Sequence, residues 1–349
     1  MKILVAPLNW GLGHASRCIP LIQRLLDEGN EVILGGDGES LTLLRKHFPK
    51  LRYAYLAPLN LKYSKGSRQV WAMLKAMPKL YFWALKDYTM LKALLREEPF
   101  DQVISDNRFG LYSVSERSER SVLCQAKPVC IYMTHQLHIM LPKGWKWAES
   151  IASRLHTRIY TRFNKVWVPD YEDPEKSLAG ELSHSIQISN FKFQISNLEY
   201  IGPLSRFSLT AKRSNSATVQ QCNGPTGEAG HYNVVAVLSG LEPQRTMLEA
   251  QIIERYAGKT ESVLIVQGLM HKPSVRIKRG NITIVPYMGD EELASSLLGA
   301  KHIIARSGYS TIMDLETLGV LGKSELIPTP GQPEQEYLAR FWAQKNTAT

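Results

Sequence analysis

The stretch from His302 to Tyr337 constrains the fold of this chain most strongly. An apolar run ends at a Ser-Gly pair, a helical pattern follows, and a second apolar run then leads into a polar loop. This order predicts a strand, a tight turn, a helix and a second strand, which is the repeating unit of a parallel α/β sheet. The turn would place backbone N–H groups and the hydroxyls of Ser310 and Thr311 at a helix N-terminus, where an anion such as a diphosphate binds readily.

Three further residues of this stretch suit a nucleotide ligand. Asp314 lies one turn into the predicted helix, where its carboxylate could accept hydrogen bonds from a ribose diol. Gln335 and Glu336 follow in the polar loop after the second strand. The alternative is an ordinary strand–turn–helix of an α/β protein that binds no ligand at this point.

A second constraint lies near the N-terminus. Residues 2–7 form a predicted strand, the next loop contains Gly11 and Gly13, and a helix follows from about Ala15 to Glu28. The dinucleotide-binding spacing Gly-x-Gly-x-x-Gly is absent, because residue 16 is serine. His14 would stand at the helix N-terminus, either as a general base or as a capping or packing histidine.

Both stretches resemble GT-B glycosyltransferases, and the similarity is greatest to the family of the bacterial lipid-linked N-acetylglucosaminyltransferase of peptidoglycan synthesis (glycosyltransferase family 28-like). The donor site of that family has a Ser-Gly-x-x-Thr-x-x-Glu turn and helix, followed by a Gln-Gln pair. The matching positions here are Ser307, Gly308, Thr311 and Gln335, while Asp314 replaces the family's Glu and Glu336 replaces its second Gln. The family also has a Gly-x-Gly-His turn that faces the cleft from its acceptor domain, which corresponds to Gly11, Gly13 and His14.

The resemblance implies an α/β fold of the GT-B class, with two Rossmann-like domains that face each other across a cleft. We predict an acceptor-side domain at residues 1–204, a linker or flexible insert at 205–231 and a nucleotide-sugar donor domain at 232–349. The composition supports the linker, because its sequence is rich in Ser, Thr, Asn, Gly and Gln and poor in large apolar residues. A length of 349 residues also suits two domains.

Polar residues follow two further predicted strands of the first domain. Ligands of open α/β sheets bind outside the carboxyl ends of the strands. The strand at 100–106 delivers Asp106, Asn107 and Arg108 to that edge, and the strand at 129–133 delivers His135. We therefore take Asn107 and Arg108, with the two glycines of the first turn, as candidate acceptor-binding residues. His135 and Asp106 are the alternatives to His14 as catalytic residues, although His135 could instead satisfy a neighbouring carbonyl.

The second domain offers further candidates for the donor. Ser239 and Gly240 follow its first predicted strand, and their amides, together with Arg245, are available for a diphosphate. In the similar family, backbone groups after a later strand hold the nucleobase. Tyr287 and Met288 occupy that position here and are candidates for the nucleobase edge.

The resemblance implies transfer of a sugar from a nucleotide diphosphate sugar, expected to be a UDP-sugar, to an acceptor hydroxyl that is lipid-linked in the similar family. The enzyme would be of the hexosyltransferase class. No Asp-x-Asp triplet occurs, so we expect metal-independent chemistry and no cofactor. Two alternatives stay open: a nucleotide-sugar epimerase of the same fold, and a basic nucleic-acid-binding protein. No RNA- or DNA-binding motif accompanies the basic residues, so we expect no nucleic-acid partner.

The basic residues are concentrated in one segment. Residues 45–96 contain twelve Lys and Arg against one acid, Asp87, in a chain whose net charge is +10. Within this segment an apolar and basic pattern spans residues 70–95, and we predict that Pro78 kinks it or splits it into two helices. One face could pack on the sheet with its lysines in water. Alternatively, residues 62–96 could make peripheral contact with an anionic membrane.

Cysteine usage and hydropathy bear on location. The four cysteines (Cys18, Cys124, Cys130 and Cys222) form no CxxC pair and show no zinc-ligand spacing, which favours a reducing cytoplasm. No run of 18 apolar residues occurs, so no transmembrane helix is expected. We predict a cytoplasmic protein, with any membrane association on the cytoplasmic face.

Overall fold

The computed structural model describes residues 1–9, 11–59, 69–108, 128–184, 197–208, 232–240, 242–270, 272–273 and 275–347, with the backbone alone at 69–77 and 143. The chain divides into two compact units, Met1–Leu204 and Ser205–Thr349. Most of the linker predicted at 205–231 lies outside the described residues, as do residues 62–68 of the predicted membrane-contact segment.

The first unit is built on a parallel sheet. Within the described residues its strands are β1 (Lys2–Pro7), β2 (Glu31–Gly36), β3 (Tyr53–Tyr55), β4 (Gln102–Asp106), β5 (Val129–Met133), β6 (Lys165–Val168) and β7 (Leu198–Tyr200). The order across the sheet is β3-β2-β1-β4-β5-β6-β7. Val, Ile and Leu fill the central strands because helices cover both faces of such a sheet.

The described helices of this unit follow the strands. They are α1 (Gly13–Asp27), α2 (Gly38–His47), α3 (Gln69–Glu97), α4 (Glu149–Tyr160) and the short α5 (Glu181–His184), with a 3-10 turn at Lys143–Ala148 before α4. Helix α1 begins at Gly13, slightly earlier than the sequence predicted. His14 is therefore in its first turn.

Helix α3 runs without a break from Gln69 to Glu97 and contains Pro78. Of the two alternatives predicted for Pro78, the split into two helices is therefore wrong, and the kink stays a prediction. A proline inside a helix removes one backbone hydrogen bond, while side chains farther along α3 stabilise it by packing. Leu91 is buried in the main core of the unit, and Trp83 is buried in a smaller cluster beside it.

The second unit has a mostly parallel sheet. Its described strands are β8 (Val234–Val237), β9 (Val263–Val266), β10 (Ile277–Arg279), β11 (Ile282–Val285), β12 (His302–Arg306) and β13 (Ser324–Ile327), in the order β10-β11-β9-β8-β12-β13. Strand β10 pairs antiparallel to β11, and the other pairs are parallel. The described helices are α6 (Gln244–Tyr256), α7 (Asp290–Gly299), α8 (Tyr309–Thr317) and α9 (Pro333–Thr347).

Candidate functional site

The strand order of the first unit reverses between β1 and β4. A reversal of this kind opens a ligand-binding crevice at the carboxyl ends of the two strands. Strand β1 ends at Pro7 and leads through Gly11 into helix α1, whose first turn carries His14. Strand β4 ends at Asp106. Two of the residues predicted from sequence therefore lie together at this switch point.

His14 and Asp106 form a hydrogen-bonded pair. His14 Nδ1 lies 2.9 Å from Asp106 Oδ1. The side chain of His14 is 17% exposed, whereas that of Asp106 is 1% exposed. Because an ionised carboxylate can only accept, we assign the proton of this bond to His14 Nδ1. The other ring nitrogen, Nε2, makes no hydrogen bond within the described part of the chain, so its lone pair can take up a proton.

Arg17 completes this group, and the sequence reasoning missed it. Its Nε donates to Asp106 Oδ2 at 2.6 Å, and its Nη2 donates to Asp106 Oδ1, so the guanidinium holds both carboxylate oxygens. Its Nη1 lies 3.1 Å from Nδ1 of His135. Arg17 stands one helical turn beyond His14 and is almost completely buried. We refer to His14, Arg17, Asp106 and His135 as the His14 cluster.

The charges of the His14 cluster determine which groups ionise. Burial alone would raise the pKa of Asp106, but Arg17 and His14 outweigh it and hold that pKa well below its usual range. Cys18 lies 3.9 Å from Asp106 Oδ2, and burial raises the pKa of its thiol. Asp106 is therefore an anion at neutral pH, while the neighbouring thiol stays neutral.

Asn107 follows Asp106 in a left-handed backbone conformation, with φ of 58°. Few residues other than glycine adopt this conformation, and it occurs often at functional sites. Tyr132 Oη donates to Asn107 Oδ1 at 2.8 Å, and it lies 3.3 Å from Nε2 of buried His156. The side-chain oxygen of Asn107 is therefore engaged inside the protein. Its role in acceptor binding stays a prediction.

Arg108 requires a correction. It was predicted to bind the acceptor, but its side chain is fully buried. Its Nη2 donates to Asp87 Oδ1 at 2.6 Å, and its Nη1 donates to Asp37 Oδ1 at 3.0 Å. The guanidinium also lies 5.6 Å from the ring centroid of Trp83. Arg108 is a structural residue that joins α3 to the sheet edge. The lone acid of the basic segment, Asp87, is its partner.

The second unit has an equivalent switch point between β8 and β12. The turn with Ser239 and Gly240 follows β8, and Gly240 has φ of 95°. Ser307 and Gly308 follow β12 and precede helix α8. Gly308 is the N-cap of α8 and has no side chain to cap it, and a first helical turn has N–H groups without intrahelical partners. Both turns predicted for the diphosphate therefore lie at this edge, which we call the donor edge.

Two donor-site candidates have partners within this edge, and their roles in donor binding stay predictions. Ser307 is fully buried, and its Oγ donates to the backbone oxygen of Gln335 at 2.8 Å. Asp314 accepts from Ser205 Oγ at 2.7 Å and from Arg206 Nε at 3.2 Å. Burial raises the pKa of Asp314, and these donors offset the rise in part. Asp314 therefore ties the start of the unit to α8, and a ribose would have to displace its partners.

Arg245 also has partners. Its Nη2 donates to Glu242 Oε1, and its Nη1 donates to Glu249 Oε2 at 3.2 Å. The guanidinium is buried in the first turn of α6. A diphosphate would compete with two carboxylates for this side chain, so its role in donor binding stays a prediction.

The remaining donor candidates differ in exposure. Gln335 is half-buried and its Oε1 accepts from Thr329 N at 2.9 Å, whereas Glu336 is exposed and its Oε1 accepts from Gly331 N at 3.1 Å. Both side chains thus stabilise the polar loop after β13. The other candidates are half-exposed (Tyr287, Ser310 and Thr311) or buried (Met288).

Comparison with known proteins places this architecture in a fold class. No family model matches the chain. A protein of Methanosarcina acetivorans named as an uncharacterized glycosyltransferase is 23% identical over 356 residues, which cover 96% of this chain and 82% of the relative. The structure of the glycotransferase of kitacinnamycin is 13% identical with a TM-score of 0.57, and it covers 98% of this chain and 84% of that chain.

Two further solved structures agree. The spinosyn forosaminyltransferase is 14% identical with a TM-score of 0.54 over 100% of this chain and 92% of that one. UGT2 of Phytolacca americana, complexed with UDP-2fluoro-glucose and pterostilbene, is 14% identical with a TM-score of 0.52 over 98% and 83% of the two chains. The chain has the GT-B fold. The GT-B fold predicted from the sequence is confirmed.

Among the residues that the structure describes, no group of three His, Cys, Asp or Glu side chains could hold a metal ion. The described helices likewise include none that could cross a membrane.

Proposed function

We propose that this GT-B protein is a glycosyltransferase that moves a sugar from a nucleotide diphosphate sugar to an acceptor hydroxyl, in the hexosyltransferase class and without a metal. The His14–Asp106 pair carries the proposal, because His14 lies at the switch point of the first unit and its open Nε2 could serve as a base. The relative from Methanosarcina, which is named as a glycosyltransferase, supports it. The similar structure with UDP-2fluoro-glucose favours a UDP-sugar as the donor.

In the proposed reaction, the acceptor oxygen attacks the anomeric carbon of the donor sugar as the bond from that carbon to the diphosphate oxygen breaks. The proton of the acceptor hydroxyl passes to His14 Nε2. Asp106 accepts the Nδ1–H bond throughout, holds the ring in place and stabilises the imidazolium that forms. Base catalysis of this kind contributes roughly 10²–10⁴-fold to the rate.

The donor edge would stabilise the diphosphate that leaves. The first-turn N–H groups of α8 and the hydroxyls of Ser310 and Thr311 offer hydrogen-bond donors at the positive end of a helix dipole. The turn of Ser239 and Gly240 offers further amides. These groups would meet the negative charge as it develops. Transfer requires that the donor edge and the His14 cluster act on one pair of substrates.

The two versions of the proposal differ in the class of acceptor. The family 28-like resemblance favours a lipid-linked acceptor, whereas one of the similar structures is complexed with pterostilbene. Exposed apolar side chains of the first unit favour contact with a lipid surface. Tyr81 and Phe82 of α3 are 63% and 67% exposed and lie between the exposed lysines Lys79 and Lys86.

A second exposed apolar surface lies on α4 and the turn before it. Trp147, Ile151 and Leu155 are 72%, 54% and 54% exposed. Ile151 and Leu155 share one face of α4, since they are four residues apart, and Trp147 lies in the 3-10 turn just before it. Exposed Arg154 and Arg158 accompany them on that face. Aromatic, aliphatic and basic side chains in this arrangement are typical of helices that lie on anionic membranes. We call Trp147, Ile151 and Leu155 the α4 stripe.

A ligand screen followed by an acceptor assay tests the function. Thermal shifts would be measured with UDP-, dTDP- and GDP-sugars and with NAD as a control; a ligand at 100 times its Kd stabilises by about 2.7 kcal/mol. Product formation would then be followed with lipid-linked and phenolic acceptors. No shift with any nucleotide sugar would refute the proposal. Rearrangement of the donor without any acceptor would favour the epimerase instead.

A further inference from the structure

Arg17 occupies a position that the proposed chemistry does not by itself explain. A single buried guanidinium contacts the other three members of the His14 cluster. It donates to both oxygens of Asp106, and it lies 3.1 Å from His135 Nδ1 and 2.9 Å from His14 Nδ1. An arginine has five N–H donors in a rigid plane and accepts no hydrogen bond. Its Nη2 donates to Asp106 Oδ1, and His14 Nδ1 lies within hydrogen-bond distance of the same oxygen, so Arg17 and His14 are two donors that share one acceptor. His135 Nδ1 has Arg17 Nη1 as its donor.

We propose that Arg17 is a positioning residue that fixes the tautomer of His135 directly and the tautomer of His14 through Asp106, so that the two tautomers are opposite. His135 Nδ1 accepts from Arg17, so the proton of a neutral His135 is on Nε2. His14 Nδ1 donates to Asp106, so a neutral His14 presents an unprotonated Nε2. His14 is therefore the base, and His135 is a hydrogen-bond donor through Nε2. This assignment decides between the two histidines that the sequence left as candidates, and it depends on the proposed glycosyltransferase function only for its catalytic consequence.

The charged groups around His14 support the same assignment as the hydrogen bonds. The charged and titratable groups around His14 are Arg17 on α1, Asp106 at the end of β4 and His135 after β5, with Cys18 and Tyr132 nearby. Burial raises the pKa of Cys18 and of Tyr132, so neither carries charge near neutral pH. A protonated His14 would stand beside the Arg17 guanidinium, while Asp106 shares its negative charge between them. The charge of Arg17 therefore acts on His14 at short range, and its removal changes the charge that His14 faces.

A purely structural arginine offers the matched control. Arg108 is also fully buried and also holds carboxylates, but its partners are Asp87 and Asp37 rather than His14. Substitution of either arginine should lower stability, because it leaves a buried carboxylate without its cation. A change in the pH dependence of the reaction is expected only for Arg17. This difference distinguishes an effect on the positions of the catalytic groups from an effect on protein stability.

The first experiment measures kcat against pH for wild type, Arg17→Gln, Arg17→Lys and Arg108→Gln. Arg17→Gln removes the positive charge beside His14, so we expect the acid limb of the profile to move to higher pH. Its kcat at pH 7 should fall roughly tenfold to a hundredfold, with KM for the donor little changed. Arg17→Lys keeps the charge, so its limb should stay in place. Arg108→Gln should keep the wild-type limb. If the acid limb of the kcat profile of Arg17→Gln stays at the wild-type pH, the proposal is overturned.

The second experiment reads the tautomers without any turnover. The protein would be labelled with ¹⁵N at its nine histidines, and the signals of His14 and His135 would be assigned with His14→Gln and His135→Gln. Long-range ¹H–¹⁵N spectra near pH 8 should show the proton of His14 on Nδ1 and that of His135 on Nε2. A proton of His135 on Nδ1 would overturn the proposal. Since these spectra need no substrate, the tautomers can be confirmed even if no sugar is transferred.

Discussion

His14 Nδ1 lies 2.9 Å from Asp106 Oδ1, although 92 positions separate the two residues in the chain. The parallel sheet brings them together, because β1 and β4 are neighbours and both end at the same edge. A histidine held in this way by a buried carboxylate has a fixed ring orientation and an open second nitrogen. The strand order of the first unit thus creates the pair on which the proposed activity depends.

His14→Ala should abolish most of the activity and leave donor binding intact. The substitution removes the base, so kcat should fall roughly 10²–10⁴-fold. The donor contacts proposed in the second unit are untouched, so the Kd for the nucleotide sugar should stay within about twofold, as measured by calorimetry. Near-normal turnover would remove His14 from the mechanism.

His156 should make the stability of the first unit depend on pH. Burial lowers its pKa to about 4, whereas an unfolded histidine titrates near 6.5. Between these values the unfolded chain binds more protons than the folded chain, so stability is lost as the pH falls. The loss attributable to His156 should reach about 3 kcal/mol by pH 4.

Urea unfolding of wild type and His156→Phe between pH 7 and pH 4 measures this effect. The phenyl ring fills the same space and cannot take up a proton. The variant should therefore lose less stability than wild type over this range, by the amount expected for His156. Equal losses in the two proteins would show that another group is responsible.

Arg108→Gln should destabilise the first unit strongly. The substitution leaves Asp87 and Asp37 buried without their cation, and breaking a buried pair on one side costs about 3–5 kcal/mol. Arg255→Gln in the second unit is the control, because Arg255 and Glu325 form an exposed pair worth less than about 1 kcal/mol. Denaturant midpoints of the two variants check the difference. Similar midpoints would contradict the structural role given to Arg108.

Gly268→Ala should distort the donor edge. Gly268 has φ of +72°, and an added Cβ would lie 2.7 Å from the backbone oxygen of Leu238, which precedes the turn with Ser239. Gly258→Ala is the matched control, since Gly258 has φ of +73° with open space around it. Both variants bear backbone strain of about 1 kcal/mol. Only Gly268→Ala should also weaken nucleotide-sugar binding, measured by calorimetry, and equal Kd values for the two variants would contradict this.

Particular residues show why part of the fold and of the candidate site could be predicted from the sequence. The end of a parallel strand is readable from an apolar run, so Asp106 and His14 could be assigned to one edge. The buried contacts beneath that edge cannot be predicted from the sequence pattern. Arg17 looks like part of a solvated helix face, because a pattern of charges does not reveal a buried carboxylate far away in the chain.

The correction of Arg108 and the internal partners of Asp314 have one physical cause. Arg108 and Asp314 stand at positions where ligand contacts are common, but each has a buried partner that only the tertiary structure supplies. The single acid of a strongly basic segment was a usable signal. Asp87 lies in an apolar helix pattern, where an unpaired carboxylate would be costly, and this indicates a buried cation as its partner.

The α4 stripe should determine binding to anionic membranes, if the acceptor is presented by a lipid surface. Co-sedimentation would be measured with vesicles of phosphatidylcholine alone and with vesicles that also contain phosphatidylglycerol. Replacing Trp147, Ile151 and Leu155 by serine should lower the affinity for the anionic vesicles roughly tenfold or more, since exposed apolar area drives insertion. Arg154→Ala should weaken binding about fivefold and reduce its dependence on salt, because each basic residue near such a surface contributes about 1 kcal/mol.

The second unit supplies the control for the stripe. Met247 and Leu298 are 51% and 45% exposed, and serine at both positions should leave vesicle binding unchanged. Tyr81→Ser with Phe82→Ser shows whether α3 contributes as well. All of these side chains are exposed, so thermal stability should stay close to that of wild type. Unchanged sedimentation of both the α4 and α3 variants would exclude these surfaces as membrane contacts and favour a small diffusible acceptor, because a lipid-linked acceptor requires the enzyme to approach the bilayer.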